Sequence, residues 1–353
     1  MDTSIKNKYL ELAEKLRISQ DEEFAKPQIA LKQENLKSDG FTTTGTLGNF
    51  SVVIGKAKSR KTFYTGILVS AAINNDLIFG RYKGELPKEQ SNVVYFDTEQ
   101  GKHHVQKAQH RICSLAKKDK SKNLHVYHLR ALNPSERLKV IEAVIYENDN
   151  IGLVVIDGIR DLVTSINDEE QATNISSKLL KWSEERNIHI IVVLHQNKGN
   201  DYARGHLGSE LIHKAELVIS VTKQKENEDI SIVKPEYSRD IEPEPFAFTI
   251  IDGLPSAVDN FVEKTVNRSS KIKLVHLQDE AKKKLLKEVF SNKNSFTYSA
   301  LVKQIKGSFS KLFKKLVGDN QAKYFITECK KYGWINQKTP KGEYTLSSSM
   351  DPP

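Results

Sequence analysis

A chain of 353 residues with 38% hydrophobic content can bury a full core, and its length suits one large domain and one small one. No run approaches the roughly 18 uninterrupted apolar residues that cross a bilayer, and Met1–Lys6 lacks a signal peptide's apolar region, so a soluble, cytoplasmic protein without a membrane partner is expected. The formal charge of +9 favours a polyanionic partner such as nucleic acid, and two widely spaced cysteines, Cys113 and Cys329, argue against a disulfide framework or a zinc site.

Residues 1–40 are charged and helix-prone without a strand signal, and read as an N-terminal helical arm. The apolar run Phe50–Ile54 then leads into Gly55, Lys56, Ala57, Lys58, Ser59, Arg60, Lys61 and Thr62, and a helix-like stretch opens at Phe63. Strand, loop and helix in that order make a phosphate-binding loop. Backbone N–H groups and the positive end of the helix face the phosphates, Lys61 reaches their oxygens, and the Thr62 hydroxyl can ligate Mg²⁺. Contact with the nucleotide, expected to be ATP, runs from Gly55 to Phe63. Arg60 stands where a second glycine is usual, so it must adopt a glycine-compatible dihedral or turn its guanidinium onto the nucleotide or a neighbour.

The next strand, Val93–Asp97, ends in Asp97-Thr98-Glu99. Ligands of an open α/β sheet sit off the carboxyl ends of its strands, which makes Glu99 the candidate general base for an attacking water; capping the following helix is its plainer role. After a strand at His125–Leu129 comes Ile151–Gly158, an apolar run closing on Asp157, the candidate Mg²⁺ carboxylate; Asp161 is a second candidate that can equally cap a helix. The strand His189–Leu194 leads to His195 and Gln196, either of which can sense a γ-phosphate. A hydrophilic stretch with three glycines follows, Asn197–Glu210, and is expected to touch DNA through Lys198, Tyr202 and Arg204. Strands at Leu217–Thr222, Ile230–Lys234 and Ala247–Ile251 lie too close for intervening helices, which suggests an antiparallel extension at one sheet edge. Lys234 and Arg239 can serve as finger cations for a neighbouring subunit's nucleotide.

These boundaries outline an α/β domain over 41–262 with a mostly parallel sheet, a linker at 263–270 and a second domain over 271–353. The second domain reads as helices near Leu277–Phe290, Tyr298–Ile305 and Gln321–Tyr332, then a hairpin turning at Lys338–Gly342, the order of a winged helix. Lysines crowd this third of the chain.

The order G-K-A-K-S-R-K-T, F-D-T-E, V-V-I-D-G and L-H-Q-N, followed by R-G-H-L-G-S, resembles the RecA-like ATPases. Within these it is most similar to the hexameric replicative helicases of RepA type and related ATPases of plasmids and mobile elements, over roughly residues 41–251. The resemblance implies a RecA-like P-loop NTPase core in which Lys61 and Thr62 bind phosphate and Mg²⁺, Glu99 is the catalytic carboxylate and Asp157 the metal-side acid. Gln196 or His195 would be the sensor, and Lys234 and Arg239 the trans-acting cations. It also implies a ring, a hexamer in that family, with nucleotide between subunits and single-stranded DNA as substrate. A non-translocating, ATP-dependent DNA-binding regulator is the alternative, with the third helix of the second domain in the major groove of a duplex.

Overall fold

The computed structural model describes residues 3–36, 39–196, 205–258, 261, 274, 277–313, 317–340 and 342–347. The chain divides into two compact units, Met1–Glu263 and Lys264–Pro353. Lys198, Tyr202, Arg204 and the linker at 263–270 lie outside the described residues.

The first unit begins with α1 (Thr3–Lys15), followed by β1 (Ile29–Glu34), β2 (Phe41–Thr46), β3 (Phe50–Gly55) and α2 (Lys61–Asn74). It continues through β4 (Leu77–Ile78), β5 (Tyr82–Gly84), β6 (Asn92–Asp97), α3 (Lys102–Leu115), β7 (Leu124–His128), α4 (Pro134–Tyr146), β8 (Ile151–Asp157) and α5 (Glu169–Arg186). It closes with β9 (His189–His195), α6 (Gly205–Lys214), β10 (Leu217–Lys223), β11 (Ser231–Ser238), β12 (Phe246–Ile251) and β13 (Leu254–Ala257). Local chemistry explains the helix bounds. A capping box between Asn133 and Glu136 with Pro134 in the first turn starts α4, the Asp168 side chain caps α5, and Asn187 ends α5 in a left-handed conformation at φ 47.

Among the described residues the main sheet has nine strands in the order β13-β12-β11-β10-β3-β9-β8-β6-β7. Every pair from β10 to β7 is parallel, and β11, β12 and β13 add the antiparallel edge expected from the sequence. Parallel strands covered on both faces read as unbroken apolar runs, as β8 does: all its residues except the terminal Asp157 are buried. One apolar layer, with Val53, Val93, Val155 and Val193, packs on α2 and α3; the other, with Phe50, Val154, Ile190 and Trp182, packs on α4, α5 and α6. Each fully buried aliphatic side chain contributes about 1.5–3 kcal/mol.

The first forty residues differ from the expected helical arm. Residues 29–34 form β1, which pairs antiparallel with β2 and β5 in a four-stranded sheet of order β2-β1-β5-β4. This sheet covers the far side of α2: Ala30, Leu31, Ile78 and Tyr82 join the cluster that holds Tyr64, Ile67 and Ala71. The signal for β1 is masked in the sequence because Lys32, Gln33 and Glu34 interrupt its apolar residues, and burial by α2 outweighs their low strand propensity. Residues 7–28 are exposed.

The second unit contains α7 (Asp279–Val289), β14 (Ser295–Phe296), α8 (Tyr298–Phe313), α9 (Asp319–Lys331), β15 (Ile335–Gln337) and β16 (Tyr344–Leu346). Its sheet has the order β14-β16-β15, and Leu285, Leu301, Phe309, Phe325 and Trp334 form a core of its own. Helix α8 runs eight residues beyond the expected Ile305, because Ser308, Phe309 and Leu312 continue its buried stripe. Among the described residues no helix is long and apolar enough to cross a membrane. Both cysteines are free and buried.

His189 opens β9 inside the first unit. Its Nδ1 lies 2.9 Å from the Thr46 carbonyl oxygen and its Nε2 3.1 Å from Ser51 Oγ, contacts that suit a neutral ring donating to Thr46 and accepting from Ser51. Burial pushes its pKa below the usual 6.5, against the opposing pull of Glu216 and Thr46. The unfolded chain therefore binds a proton that the native state refuses, and stability falls as pH drops below about 6.5. Thermal melts from pH 8 to pH 5 should show this decline, and His189→Gln, though less stable at pH 8, should show a shallower one.

Candidate functional site

The strand tips converge at one end of the parallel sheet. Ladder partners there are Gly55 with His195 and Asp97 with Asp157, so β3, β9, β8 and β6 terminate at nearly one level. The loop 55–60 and the first turn of α2 close over them. The resulting cleft, about 590 Å³, is lined among others by Lys61, Thr62, Glu99, Asp157 and His195. That volume suits a nucleotide-sized ligand.

Glycine is required where the loop leaves β3. A Cβ on Gly55 would stand 2.3 Å from the Val221 carbonyl oxygen and 2.6 Å from Ser59 Oγ. The loop then bends through left-handed residues at Lys58 (φ 63) and Arg60 (φ 74). Arg60 takes both options open to it: its backbone adopts the glycine-like dihedral, and its guanidinium donates to the Asp229 carbonyl oxygen at 2.5 Å, while the residue still lines the cleft. Ser231 Oγ lies 3.3 Å from the Ser59 carbonyl oxygen and ties the loop to the same neighbourhood, the start of β11. The left-handed turn costs Arg60 about 1 kcal/mol relative to glycine.

Lys61 Nζ donates to the carbonyl oxygens of Gly55 (2.9 Å) and Lys56 (3.0 Å) and lies 3.2 Å from His195 Nδ1. Burial lowers its pKa, while Asp157 and Glu99 favour the charged form. Thr62 Oγ1 donates to Asp157 Oδ2 at 2.9 Å, and Tyr95 Oη donates to the same oxygen at 2.6 Å. Burial pushes Asp157 up to about 6, aided by the charges of Asp97 and Glu99 and opposed by the two hydroxyls.

Glu99 is not the cap of α3. α3 begins at Lys102 behind Gly101 with no side-chain cap, and Asp97 braces the loop ahead of it by accepting from the backbone N–H of Glu99 (3.0 Å) and Gln100 (2.7 Å). The Glu99 carboxylate is left facing the cleft, 3.3 Å from His195 Nε2. His195 holds its pKa below the usual carboxylate range, with further help from Lys61 and Arg160. His195 thus stands between Lys61 and Glu99, with Nδ1 as acceptor and Nε2 as donor. Thr98 Oγ1 lies within 3.0 Å of Gly158 O and Asp161 Oδ2, which makes Asp161 a strut rather than a second metal acid. Gly158 has φ 109, and a Cβ there would stand 2.0 Å from Thr98 Oγ1, so this turn also requires glycine.

Other expected residues lie farther out. Gln196 is buried and its N–H donates to the Gly55 carbonyl oxygen at 3.1 Å, beside the loop. Phe63 stacks under the Arg111 guanidinium, 3.7 Å from its ring centroid. Lys234 pairs with Ser220, one strand removed from Ile54. Arg239 follows Ser238, which aligns through Leu217 with Ser51, so it lies at the end of the sheet opposite the phosphate loop, donating to the Lys214 carbonyl oxygen at 2.6 Å. Neither finger candidate meets its own chain's site. Sequence reasoning missed the buried Tyr95 behind Asp157 and three α3 side chains that line the cleft, His104, Lys107 and Arg111. Spacing of three and four residues along α3 was the available signal for the latter; Tyr95 looks in sequence like one more core residue.

The residues present fit a phosphate ligand with a divalent ion. Ser59 Oγ is buried in the loop without a hydrogen-bond partner, and Lys61 is held by carbonyl oxygens that a phosphate can replace. Among the described residues no group of three or more His, Cys, Asp or Glu is placed to hold a metal unaided. Mg²⁺ would therefore rely on Thr62 and Asp157 together with water and the ligand's own phosphate oxygens.

Residues 43–201 match the family model of the AAA domain. The matched segment holds β3, α2, β6, β8 and β9, all the strands that deliver the site, and supports a P-loop ATPase that binds nucleotide. No curated protein matches the chain.

Two variants probe this geometry. Tyr95→Phe strips a hydrogen bond from Asp157, the carboxylate expected to hold the ion, and should raise the Mg²⁺ concentration for half-maximal ATP hydrolysis roughly tenfold in a Mg²⁺ titration. Arg60→Gly relieves the left-handed strain and leaves the loop's backbone N–H groups in place; its ATP affinity by calorimetry should stay within about twofold of the parent or tighten.

Proposed function

We infer that the protein is an ATP-hydrolysing motor acting on DNA, a RepA-like replicative helicase of a plasmid or mobile element. In this reading it works in the cytoplasm as a RecA-like ring, a hexamer, with nucleotide between subunits. The observation that carries the hydrolytic part is the single cleft in which Lys61, Thr62 with Asp157, and an anionic Glu99 converge.

Lys61 exchanges its carbonyl partners for phosphate oxygens and spreads the charge that develops on the terminal phosphoryl group. Thr62 and Asp157 would hold Mg²⁺, which would supply charge neutralisation along the phosphates. Glu99, kept ionised by His195 and Lys61, orients the attacking water in line with the departing diphosphate; its lowered pKa suits orientation better than strong proton abstraction. His195 and Gln196 register the terminal phosphate beside the loop that follows β9. Lys234 and Arg239, remote from their own chain's Glu99, serve as cations for a neighbour's nucleotide. The DNA part rests on the net charge of +9 and on the second unit, whose three helices and terminal hairpin follow the order of a winged helix.

One observation favours a second reading. Arg60 in a strained loop, tied to Asp229, suits slow turnover, as in a regulator that uses ATP to assemble on DNA without translocating. A strand-displacement assay separates the two: ATP-dependent unwinding supports the motor, whereas duplex binding with slow hydrolysis and no unwinding supports the regulator.

Lys61→Ala should lower the ATP hydrolysis rate at least ~100-fold in a phosphate-release assay while leaving the melting temperature without nucleotide nearly unchanged. Hydrolysis at the parental rate would remove the site assignment.

A further inference from the structure

Asp97, Glu99 and Asp157 are the acids that line the cleft, and nearly all of their oxygens already face a donor. Asp97 Oδ1 accepts from the backbone N–H groups of Glu99 and Gln100, and its Oδ2 accepts from the Gln100 side chain at 2.7 Å. Both Glu99 oxygens face the imidazole of His195, whose Nε2 lies 3.3 Å from Oε1 and 3.5 Å from Oε2. Asp157 Oδ2 accepts from Thr62 at 2.9 Å and from Tyr95 at 2.6 Å. A carboxylate oxygen has two lone-pair sites, so these hydroxyls fill that oxygen. Among the described residues, Asp157 Oδ1 is the one oxygen of the set that no donor meets. Tyr95 is 2% exposed and packed in the apolar layer beside α2, so its hydroxyl has no water to turn to and stays on Asp157.

We propose that Tyr95 sets which ion the cleft takes: by filling Asp157 Oδ2 together with Thr62, it leaves a single carboxylate oxygen open, a donor set that suits Mg²⁺ and disfavours Ca²⁺. The inference rests on the reading of Asp157 as the carboxylate of the nucleotide's ion, and adds the selectivity of that position. Ca²⁺ takes roughly 6–8 oxygens and accepts a carboxylate through both of its oxygens, whereas Mg²⁺ keeps several waters and needs only one or two carboxylates beside the phosphates. Nothing nearby makes up the shortfall for the larger ion. Among the described residues no group of three or more His, Cys, Asp or Glu is placed to hold a metal, and the oxygens of Asp97 and Glu99 are engaged as described. Tyr95 is thus a positioning residue that acts through Asp157. In Tyr95→Phe, Oδ2 regains a lone pair and the carboxylate can turn both oxygens to a larger ion.

The test uses the full chain and a fluorescent, non-hydrolysable ATP analogue, so that binding is read by anisotropy without turnover. Mg²⁺ and Ca²⁺ are titrated separately at fixed protein and analogue. The parent should reach half-maximal binding at a Mg²⁺ concentration ~10-fold or more below that for Ca²⁺. In Tyr95→Phe the Mg²⁺ midpoint should rise roughly tenfold while the Ca²⁺ midpoint holds or falls, so the preference is lost. Tyr82→Phe removes a hydroxyl from the buried Tyr64–Tyr82 pair on the far side of α2, and should keep the parental preference. Analogue binding that ignores both ions would remove Asp157 as the ion's carboxylate, and the inference with it. A parent that takes both ions alike, a Tyr95→Phe variant that keeps the parental ratio, or a Tyr82→Phe variant that loses it equally would overturn the inference and leave the reading of Asp157 standing.

Discussion

The site depends on strand register. Gly55 pairs with His195 and Asp97 with Asp157 at the last rungs of their ladders, and Lys61 and Glu99 follow within a few residues. Side chains alternate faces along a strand, so a slip of one residue in β8 would bury Asp157 in an apolar layer and push an aliphatic group into the cleft. The apolar alternation of Val154, Val155 and Ile156 between the two packed layers prevents that slip. Core packing and site chemistry are therefore one constraint here, exerted through the same strands.

Bringing Asp97, Glu99 and Asp157 together has an electrostatic cost, and the local partners divide the three carboxylates into different roles. Asp97 accepts from the backbone N–H groups of Glu99 and Gln100 and from the Gln100 side chain, and so braces the loop before α3 although burial raises its pKa. Burial and the neighbouring acids push Asp157 up to about 6, and a cation at its side would stabilise its charged form. Glu99, against His195 and near Lys61 and Arg160, stays ionised. A residue's duty thus follows less from its type than from whether its neighbours are donors, cations or other acids.

Much of this was legible in the sequence. The phosphate loop, the strands carrying Glu99, Asp157 and His195, the parallel core and its antiparallel edge all leave short-range signatures: an apolar run, a polar tip, a turn. The three C-terminal helices also follow from pattern. The rest was hidden for physical reasons. Strand β1 is polar at Lys32, Gln33 and Glu34 and is stabilised by packing on α2, a contact between segments far apart in the chain. Tyr95 differs from a core tyrosine only in where its hydroxyl points. The direction of the Arg60 guanidinium was one of two options that sequence could state, and its bond to Asp229 spans 169 positions.

Helix α2 is enclosed on both sides, by the nine-stranded sheet and by the small sheet that contributes Tyr82, whose hydroxyl lies 2.9 Å from that of Tyr64. A segment so boxed in makes a poor piston, because interiors packed at crystal-like density resist displacement. Any rearrangement prompted by a ligand must then be concentrated in the few residues ahead of the helix and leave through the threads that lace them to the start of β11. The second sheet, which contributes nothing to the chemistry, thereby decides which side of the molecule can feel it.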